Sequence, residues 1–286
     1  NHYFCFGGRF RTAKHSIYLN IFMFMAIILP LVVFLVFEAK WTWHHVSPAV
    51  PLLFVYVWLV CAASFVKAAG GDPGVLPRNV HLTENVAQLP EEYFNTITIP
   101  AFQTGSVAVK YCATCRIWRP ARTSHCLTCD ACVTVHDHHC VWLNNCVGLR
   151  NYMYFMEFLA GSILCCLYIL GFTVYRLAKL DSFRHAIRTS PMSFMLAIYS
   201  SLVMIYPTIL FGFHLYLNVT AQTTREFLGN IHKPVGEQTF WQYSEGSDVK
   251  GALRNAAHVW LRVRGPSALR VRDPYVHGDR RWDKLA

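Results

Sequence analysis

Residues 112–146 read CATCRIWRPARTSHCLTCDACVTVHDHHCVWLNNC and hold seven of the chain's eleven cysteines. Cys112, Cys115, His125 and Cys132 form a C-x2-C-x9-H-x6-C set. Fourteen residues further on, Cys126, Cys129, His139 and Cys146 repeat the same spacing. Each set offers three thiols and one imidazole, the donor count of a closed structural Zn²⁺ site. Because Cys126 and Cys129 precede Cys132, the two sites share backbone and must fold as one unit. A partition into Cys112/Cys115/Cys126/Cys129 with a second site using His136 is the less regular alternative. Closed sites leave no open coordination position, so the metals are expected to be structural, and they explain how a loop can be rigid.

This arithmetic leaves Cys140 over. It follows Asp137, His138 and His139. If the chain is extended there, residues i and i+2 share a side, so His138 and Cys140 face one way and His139 turns toward the metal. His138 then serves as general base for the Cys140 thiol, with Asp137 orienting it, the logic of nucleophile, base and orienter. Nearby cations lower a thiol's pKa and raise its thiolate fraction. The plainer alternative makes Cys140 a spare ligand and His138 a surface residue.

Outward from the cysteine cluster the chain is 54% apolar and 15% charged over 286 residues. Four apolar runs, Ile17–Phe37, Val46–Val66, Met153–Tyr175 and Phe194–Leu217, reach the roughly 20 residues a bilayer crossing needs. The predicted fold is an all-α polytopic membrane protein with the zinc-stabilised domain between helices two and three. Its parts are an N-terminal stub (1–16), spans one and two (17–66), the cysteine-rich loop (67–152), spans three and four (153–217) and a tail (218–286). Asn20 is the one strongly polar residue in the first run. Glu38–His45 reads as a short loop, and Ala252–Arg264 as an amphipathic helix lying on the membrane or on the metal domain. The absence of a leading methionine predicts residues upstream of Asn1.

The segments 1–16, 67–152 and 218–286 carry 21 of the 26 lysines and arginines. By the positive-inside rule both termini and the cysteine cluster face the cytosol, where cysteines are metal ligands more often than disulfides. The net charge of +10 suits anionic headgroups, and the four spans argue against nucleic acid as partner. A nucleophilic thiol at the membrane face predicts acyl transfer between thiols, with a long acyl chain lying among the spans. Arg116, Arg119, Arg122 and Arg150 flank the site and are candidates for the phosphates of an acyl-CoA. A non-enzymatic, zinc-stabilised membrane adaptor that is itself acylated is the competing reading. A metal-ion transporter ranks behind it, for want of ionisable groups at mid-membrane.

These residues resemble a family, the DHHC protein S-acyltransferases, or palmitoyltransferases. The resemblance rests on Asp137-His138-His139-Cys140, Asp72-Pro73-Gly74, Arg119-Pro120 with Arg122, His125-Cys126, Asn145-Cys146-Val147-Gly148, Asn151-Tyr152 and Thr223-Thr224-Arg225-Glu226, and covers nearly the whole chain. It implies that Cys140 is autoacylated by palmitoyl-CoA and passes the acyl group to protein substrates with a membrane-proximal cysteine. It implies too that Thr224 contacts Asp137 and that Trp142 lines the mouth of the acyl cavity. Most members carry Pro after the active cysteine, whereas Val141-Trp142-Leu143-Asn144-Asn145-Cys146 follows here, which is similar to the fungal Ras-palmitoylating branch. That likeness implies a small accessory subunit and an endoplasmic reticulum or Golgi membrane. A C-terminal motif is recognisable in Tyr243-Ser244-Glu245-Gly246 and Asn255-Ala256-Ala257, with Asn255 as its structural asparagine.

Overall fold

Helix α1 (Ile17–Phe37) coincides with the first predicted span. The short helix α2 (Ala39–His45) and the long α3 (Ala49–Gly70) follow it. The computed structural model describes residues 2–5, 10–13, 17–80, 96–101, 105–180, 182–234 and 249–269. After the cysteine-rich loop come α4 (Tyr152–Ala178), α5 (Phe183–Thr189) and α6 (Pro191–Val219). Helices α1, α3, α4 and α6 are long and apolar enough to cross a bilayer, so this is a multi-pass membrane protein. The later spans run past their predicted ends because apolar runs mark the lipid-facing core of a helix and not its caps. Helix α3 starts only after Ser47-Pro48 and continues through Lys67 to stop at Gly71, while Pro191 opens α6, where the first turn tolerates proline.

The predicted loop at Glu38–His45 is instead helix α2. Glu38 is fully buried at its start. Arg176 from the end of α4 lies 3.2 Å from Glu38 Oε1, and the Ser193 hydroxyl of α6 donates to the same oxygen. Three helices are thus tied at the membrane face opposite the cysteine cluster. Beyond the third apolar run, Arg176 sits in this cluster, and the short helix α5 carries Arg188.

The core runs along α3 and α4. Phe34 packs on Phe54 at 4.3 Å between ring centres, and Phe54 on Tyr168 at 5.5 Å. Gly161 lets the two helices close up, since a Cβ there would lie 2.9 Å from Cys61 Cβ. In lipid, this packing of small residues rather than a hydrophobic drive brings helices together. Phe22, Leu52, Leu202 and Ile209 face outward, where lipid takes the place of protein. The apolar cluster does not stop at the helix ends: Cys140, Leu143 and Val147 belong to it together with Phe65, Phe155 and Leu159. The cysteine-rich domain therefore sits directly on the bundle.

That domain is built of short antiparallel strands. Beyond the N-terminal hairpin of β1 (His2–Cys5) and β2 (Phe10–Ala13), β3 (Thr96–Ala101) pairs with β4 (Gly105–Cys112), and β4 with β5 (Ile117–Trp118). Two hairpins follow, β6 (Ser124–Cys126) with β7 (Ala131–Val133), and β8 (His138–Cys140) with β9 (Asn145–Val147). The Asp72-Pro73-Gly74 turn anchors the loop: Asp72 Oδ1 accepts from the Gly74 and Val75 N–H groups, and Gly74 at φ +106° accepts from Thr134. Helix α7 (Thr224–Ile231) and helix α8 (Val249–Trp260) close the chain. The second overlaps the predicted amphipathic segment Ala252–Arg264, starting earlier at Val249 and ending at Trp260, and it packs on α6. The motif stretch Tyr243–Gly246 lies outside the described residues.

Candidate active site and metal centres

The 14-residue repeat is a repeat of hairpins. In β6–β7, His125 stands opposite Cys132; in β8–β9, His139 stands opposite Cys146. Each cross-strand pair joins the C-x2-C turn of the preceding hairpin. Cys112 and Cys115 complete the first set, and Cys126 and Cys129 the second, with all ligand atoms of a set within 4.8 Å of one another. The hairpin β6–β7 thus gives its strands to one site and its turn to the next.

The donor geometry fits zinc. His125 Nδ1 lies 3.3 Å from Cys115 Sγ and 3.9 Å from Cys132 Sγ. His139 Nδ1 lies 3.7, 3.4 and 3.6 Å from the sulfurs of Cys126, Cys129 and Cys146. Tetrahedral Zn²⁺ with ordinary bond lengths asks for about 3.5 Å between nitrogen and sulfur and about 3.8 Å between sulfurs. Without a cation the thiols compete. Hydrogen bonds from Cys115 and Cys132 draw Cys112 down to about 2, its contact pushes Cys115 up to about 11, and contacts with Cys112 and Cys115 push Cys132 higher still. A divalent ion removes that conflict by taking the thiolates together. Asp130, which the sequence did not single out, supports the first site: its Oδ1 lies 3.7 Å from His125 Nε2 and 3.1 Å from Arg78, the carboxylate behind a metal-bound imidazole.

The frame continues once more. Residues 112, 126 and 140 are cysteines. Residues 115 and 129 are cysteines too, but 143 is leucine. Arg116, Asp130 and Asn144 each follow at positive φ, 53°, 50° and 49°. In the first two turns the second cysteine's N–H points at the first cysteine's sulfur at 3.4 Å. In the third, the N–H groups of Leu143 and Trp142 reach Cys140 Sγ. Cys140 therefore occupies the place of a zinc-knuckle ligand in a turn that lacks the second thiol.

Strand β8 separates the two histidines as its alternation predicts. His139 turns to the second set, and His138 shares the Cys140 side, its ring hydrogen-bonding the thiol. His138 Nδ1 meets Asp137 Oδ2 at 2.6 Å. Asp137 is buried and takes two bonds from Thr224, the N–H to Oδ1 at 2.8 Å and the hydroxyl to Oδ2 at 2.7 Å. The Thr223–Glu226 motif explains this arrangement. Thr223 and Glu226 form a reciprocal capping box, which leaves the Thr224 N–H at the positive end of α7 to hold the carboxylate. Burial opposes every charge here, yet partners prevail. Asp137 is held below the usual carboxylate range by His138, with help from Thr224. His138 rises to about 10 through Asp137 and Cys140. Cys140 is lowered by His138 and by the Leu143 and Trp142 amides. Together these shifts favour a thiolate on Cys140 facing an imidazolium on His138.

Other predicted site residues fall in distinct places. Arg122 grips Glu226 with two bonds, at 2.8 and 2.6 Å, and donates to Ala221 O at 3.0 Å. Arg150 lies 3.3 Å from Asp72 and donates to the carbonyls of Arg264 and Gly265. Both guanidiniums serve as struts between elements. Arg116 and Arg119 are half-buried on β4–β5, Arg119 reaching the Lys110 carbonyl at 3.4 Å. Trp142 is half-buried beside the apolar cluster. Asn255 donates to Val219 O at 3.0 Å and so satisfies a carbonyl at the end of α6.

Sequence reasoning missed His214. Its ring lies 5.9 Å from that of His138, and its nitrogen lies close enough to Asp137 and His138 to form a third His/carboxylate group. Tyr152 Oη bridges His214 Nδ1 at 3.1 Å and Asn218 Oδ1 at 2.8 Å. The available signal was two polar residues four apart near the end of an apolar span, a spacing that puts both on one helix face.

A thiol with a paired imidazole, held at the end of four membrane spans by two zinc sites, defines a membrane acyltransferase. A family model described as DHHC palmitoyltransferase matches residues 106–231. The chain is similar to the palmitoyltransferase ERF2 of Debaryomyces hansenii, 41% identical over 302 residues covering 99% of this chain and 80% of that protein. It is 42% identical to the Saccharomyces cerevisiae ERF2 over 300 residues, covering all of this chain and 81% of that one. The Neurospora crassa erf2 is 38% identical over 305 residues, 44% of its own length. The chain belongs to the DHHC palmitoyltransferase family and is a protein-cysteine S-palmitoyltransferase, working with the bilayer, palmitoyl-CoA and protein substrates.

Proposed function

We propose that Cys140 is the residue that carries the acyl group and that His138, oriented by Asp137 and Thr224, handles its proton. The Cys140 thiolate attacks the palmitoyl-CoA carbonyl. The new C–S bond replaces the bond to CoA, and the CoA sulfur leaves with the proton held on His138. A substrate cysteine then gives its proton to His138 and attacks the Cys140 thioester, which frees the enzyme thiol. Thioester exchange is nearly balanced in energy, so no external energy source enters. The observation that carries this reading is the chain Thr224–Asp137–His138–Cys140, seated on the apolar cluster of the bundle. Bound zinc supplies rigidity, through the eight ligands Cys112, Cys115, His125, Cys132, Cys126, Cys129, His139 and Cys146.

We keep the predicted segments as the domains, with loop 67–152 and tail 218–286 on one side. We assign that side to the cytosol from the placement of 21 of 26 basic residues, and the membrane to the endoplasmic reticulum, with the Golgi as alternative. The CoA phosphates are assigned to Arg116 and Arg119 for their charge beside the cysteine-rich domain, while Arg122 and Arg150 act as struts to Glu226 and Asp72. Trp142 borders the acyl chain. Likeness to the ERF2 proteins supports a Ras-type substrate and a small accessory subunit.

The test is to incubate the purified protein with labelled palmitoyl-CoA and look for a hydroxylamine-sensitive adduct at Cys140. It should vanish in Cys140→Ser and fall sharply in His138→Ala, with zinc content unchanged. An adduct that survives in Cys140→Ser would sink the assignment.

A further inference from the structure

Asn20 lies one turn into α1, in an otherwise apolar span, and its side chain is half-buried. An amide in a membrane helix is costly unless it is satisfied. Its Nδ2 reaches two backbone carbonyls of the active-site turn, Leu143 O at 3.1 Å and Trp142 O at 3.4 Å. We propose that Asn20 is a positioning residue for the reaction, holding from α1 the peptide group whose N–H faces the Cys140 sulfur.

Peptide geometry carries the inference. In a trans peptide the C=O and N–H point in opposite directions, and none of the peptide bonds described is cis. A donor on Trp142 O therefore aims the Leu143 N–H the other way, and it is the Leu143 and Trp142 amides that help lower the Cys140 thiol. The bond to Leu143 O fixes the next peptide, whose Asn144 N–H closes the turn onto Val141 O at 3.3 Å.

The turn needs this external hold because it is a zinc knuckle without its metal. At 112–115 and 126–129 an ion shared by both cysteines would freeze the loop. At 140–143 the second ligand is leucine, and Asn144 still bears the positive φ of 49°, a conformation that costs a non-glycine residue energy. Three grips from outside the domain take the metal's place. Asn20 holds the carbonyls of 142 and 143. Thr12 and Ala13 hold Asn144, whose side chain donates to Thr12 Oγ1 at 2.8 Å and to Ala13 O, while its carbonyl accepts from Ala13 N–H at 3.1 Å. The end of α3 holds Asn145, through Ala68 O and Gly71 O. Of these three grips, Asn20 is the one on the 142–143 peptide.

This rests on the assignment of Cys140 as the acylated thiol. The experiment compares the full-length protein with Asn20→Leu, which keeps the size and suits the membrane, and Asn20→Gln, which keeps the amide. Initial autoacylation rates are measured against palmitoyl-CoA concentration and expressed per zinc-loaded molecule. Asn20→Leu should lower the maximal rate roughly tenfold, the scale of one lost hydrogen bond, with KM unchanged because Asn20 touches the turn and not the donor. Asn20→Gln should stay within about threefold of the parent. A parental maximal rate in Asn20→Leu overturns the proposal, as does an equal loss in both variants. Absence of any Cys140 adduct in the parent protein overturns this inference together with the nucleophile assignment.

Discussion

Arg122 shows how a single side chain can be read correctly as near the site and still be employed elsewhere. Its charge and proximity pointed to CoA phosphates. The structure spends its guanidinium on Glu226, with side chains 6% and 19% exposed. Removing one partner of so shielded a pair strands the other, at a cost of about 3 kcal/mol. Arg122→Ala should lower the melting temperature of the detergent-solubilised protein by several degrees. Paired with Glu226→Gln, most of that loss should disappear in a double-mutant comparison. A raised KM for palmitoyl-CoA at unchanged stability would return Arg122 to the phosphates. Thr224→Val tests the other end of the proton chain. It deletes a hydroxyl on a buried carboxylate, worth about 1.5–3 kcal/mol, while keeping the N–H bond. Autoacylation should slow roughly tenfold or more, and an unchanged rate would show that the backbone bond alone holds Asp137. The ligands and Cys140 were legible because spacing alone defined them. His214 and the role of Asn20 were not, because each acts across 76 or more residues of chain through contacts that only folding brings together.

At the level of elements, the hairpins explain why a repeat visible in the sequence became a structure. Extended geometry at β8 was predictable from the two jobs of adjacent histidines, while the pairing of His125 with Cys132 and His139 with Cys146 was not, since strands of three residues leave no periodic signature. The helix α2 escaped notice for a similar reason, being shorter than a span and beginning at a buried acid. Gly148 shows how tightly the third hairpin is seated. A Cβ there would lie 2.6 Å from Pro73 O and 2.7 Å from Val133 Cγ1. Gly148→Ala should destabilise the domain by about 1–3 kcal/mol through forced backbone shifts. The readout is faster zinc loss to a chelator, and a parental release rate would contradict it.

On the scale of the whole molecule, two fastenings hold the bundle at opposite faces. The interleaved metal sites fasten the face that carries the chemistry. Because β6–β7 serves both, Cys115→Ser should reduce bound zinc by more than one ion per protein and abolish autoacylation with it. Metal analysis showing one retained ion and an active thiol would mean that the sites are independent. At the other face Glu38, Arg176 and Ser193 join α1, α4 and α6. Arg176→Leu leaves a buried carboxylate unpaired and should cost roughly 3 kcal/mol, read as a lower melting temperature with parental zinc content. The four spans were plain from apolar run length, whereas this fastening was hidden because Glu38, Arg176 and Ser193 each lie just beyond the end of an apolar run.

The third turn of the 14-residue frame has one further consequence. Its cysteine stands where its two predecessors bind metal, and a leucine stands where a second thiol would be. In terms of coordination, the turn at 140–143 is a ligand site with one donor absent. A knuckle with both thiols quenches them on a cation, whereas leucine at 143 leaves the Cys140 sulfur unshared. The backbone shape comes with the turn, since Asn144 bears the same positive φ as Arg116 and Asp130.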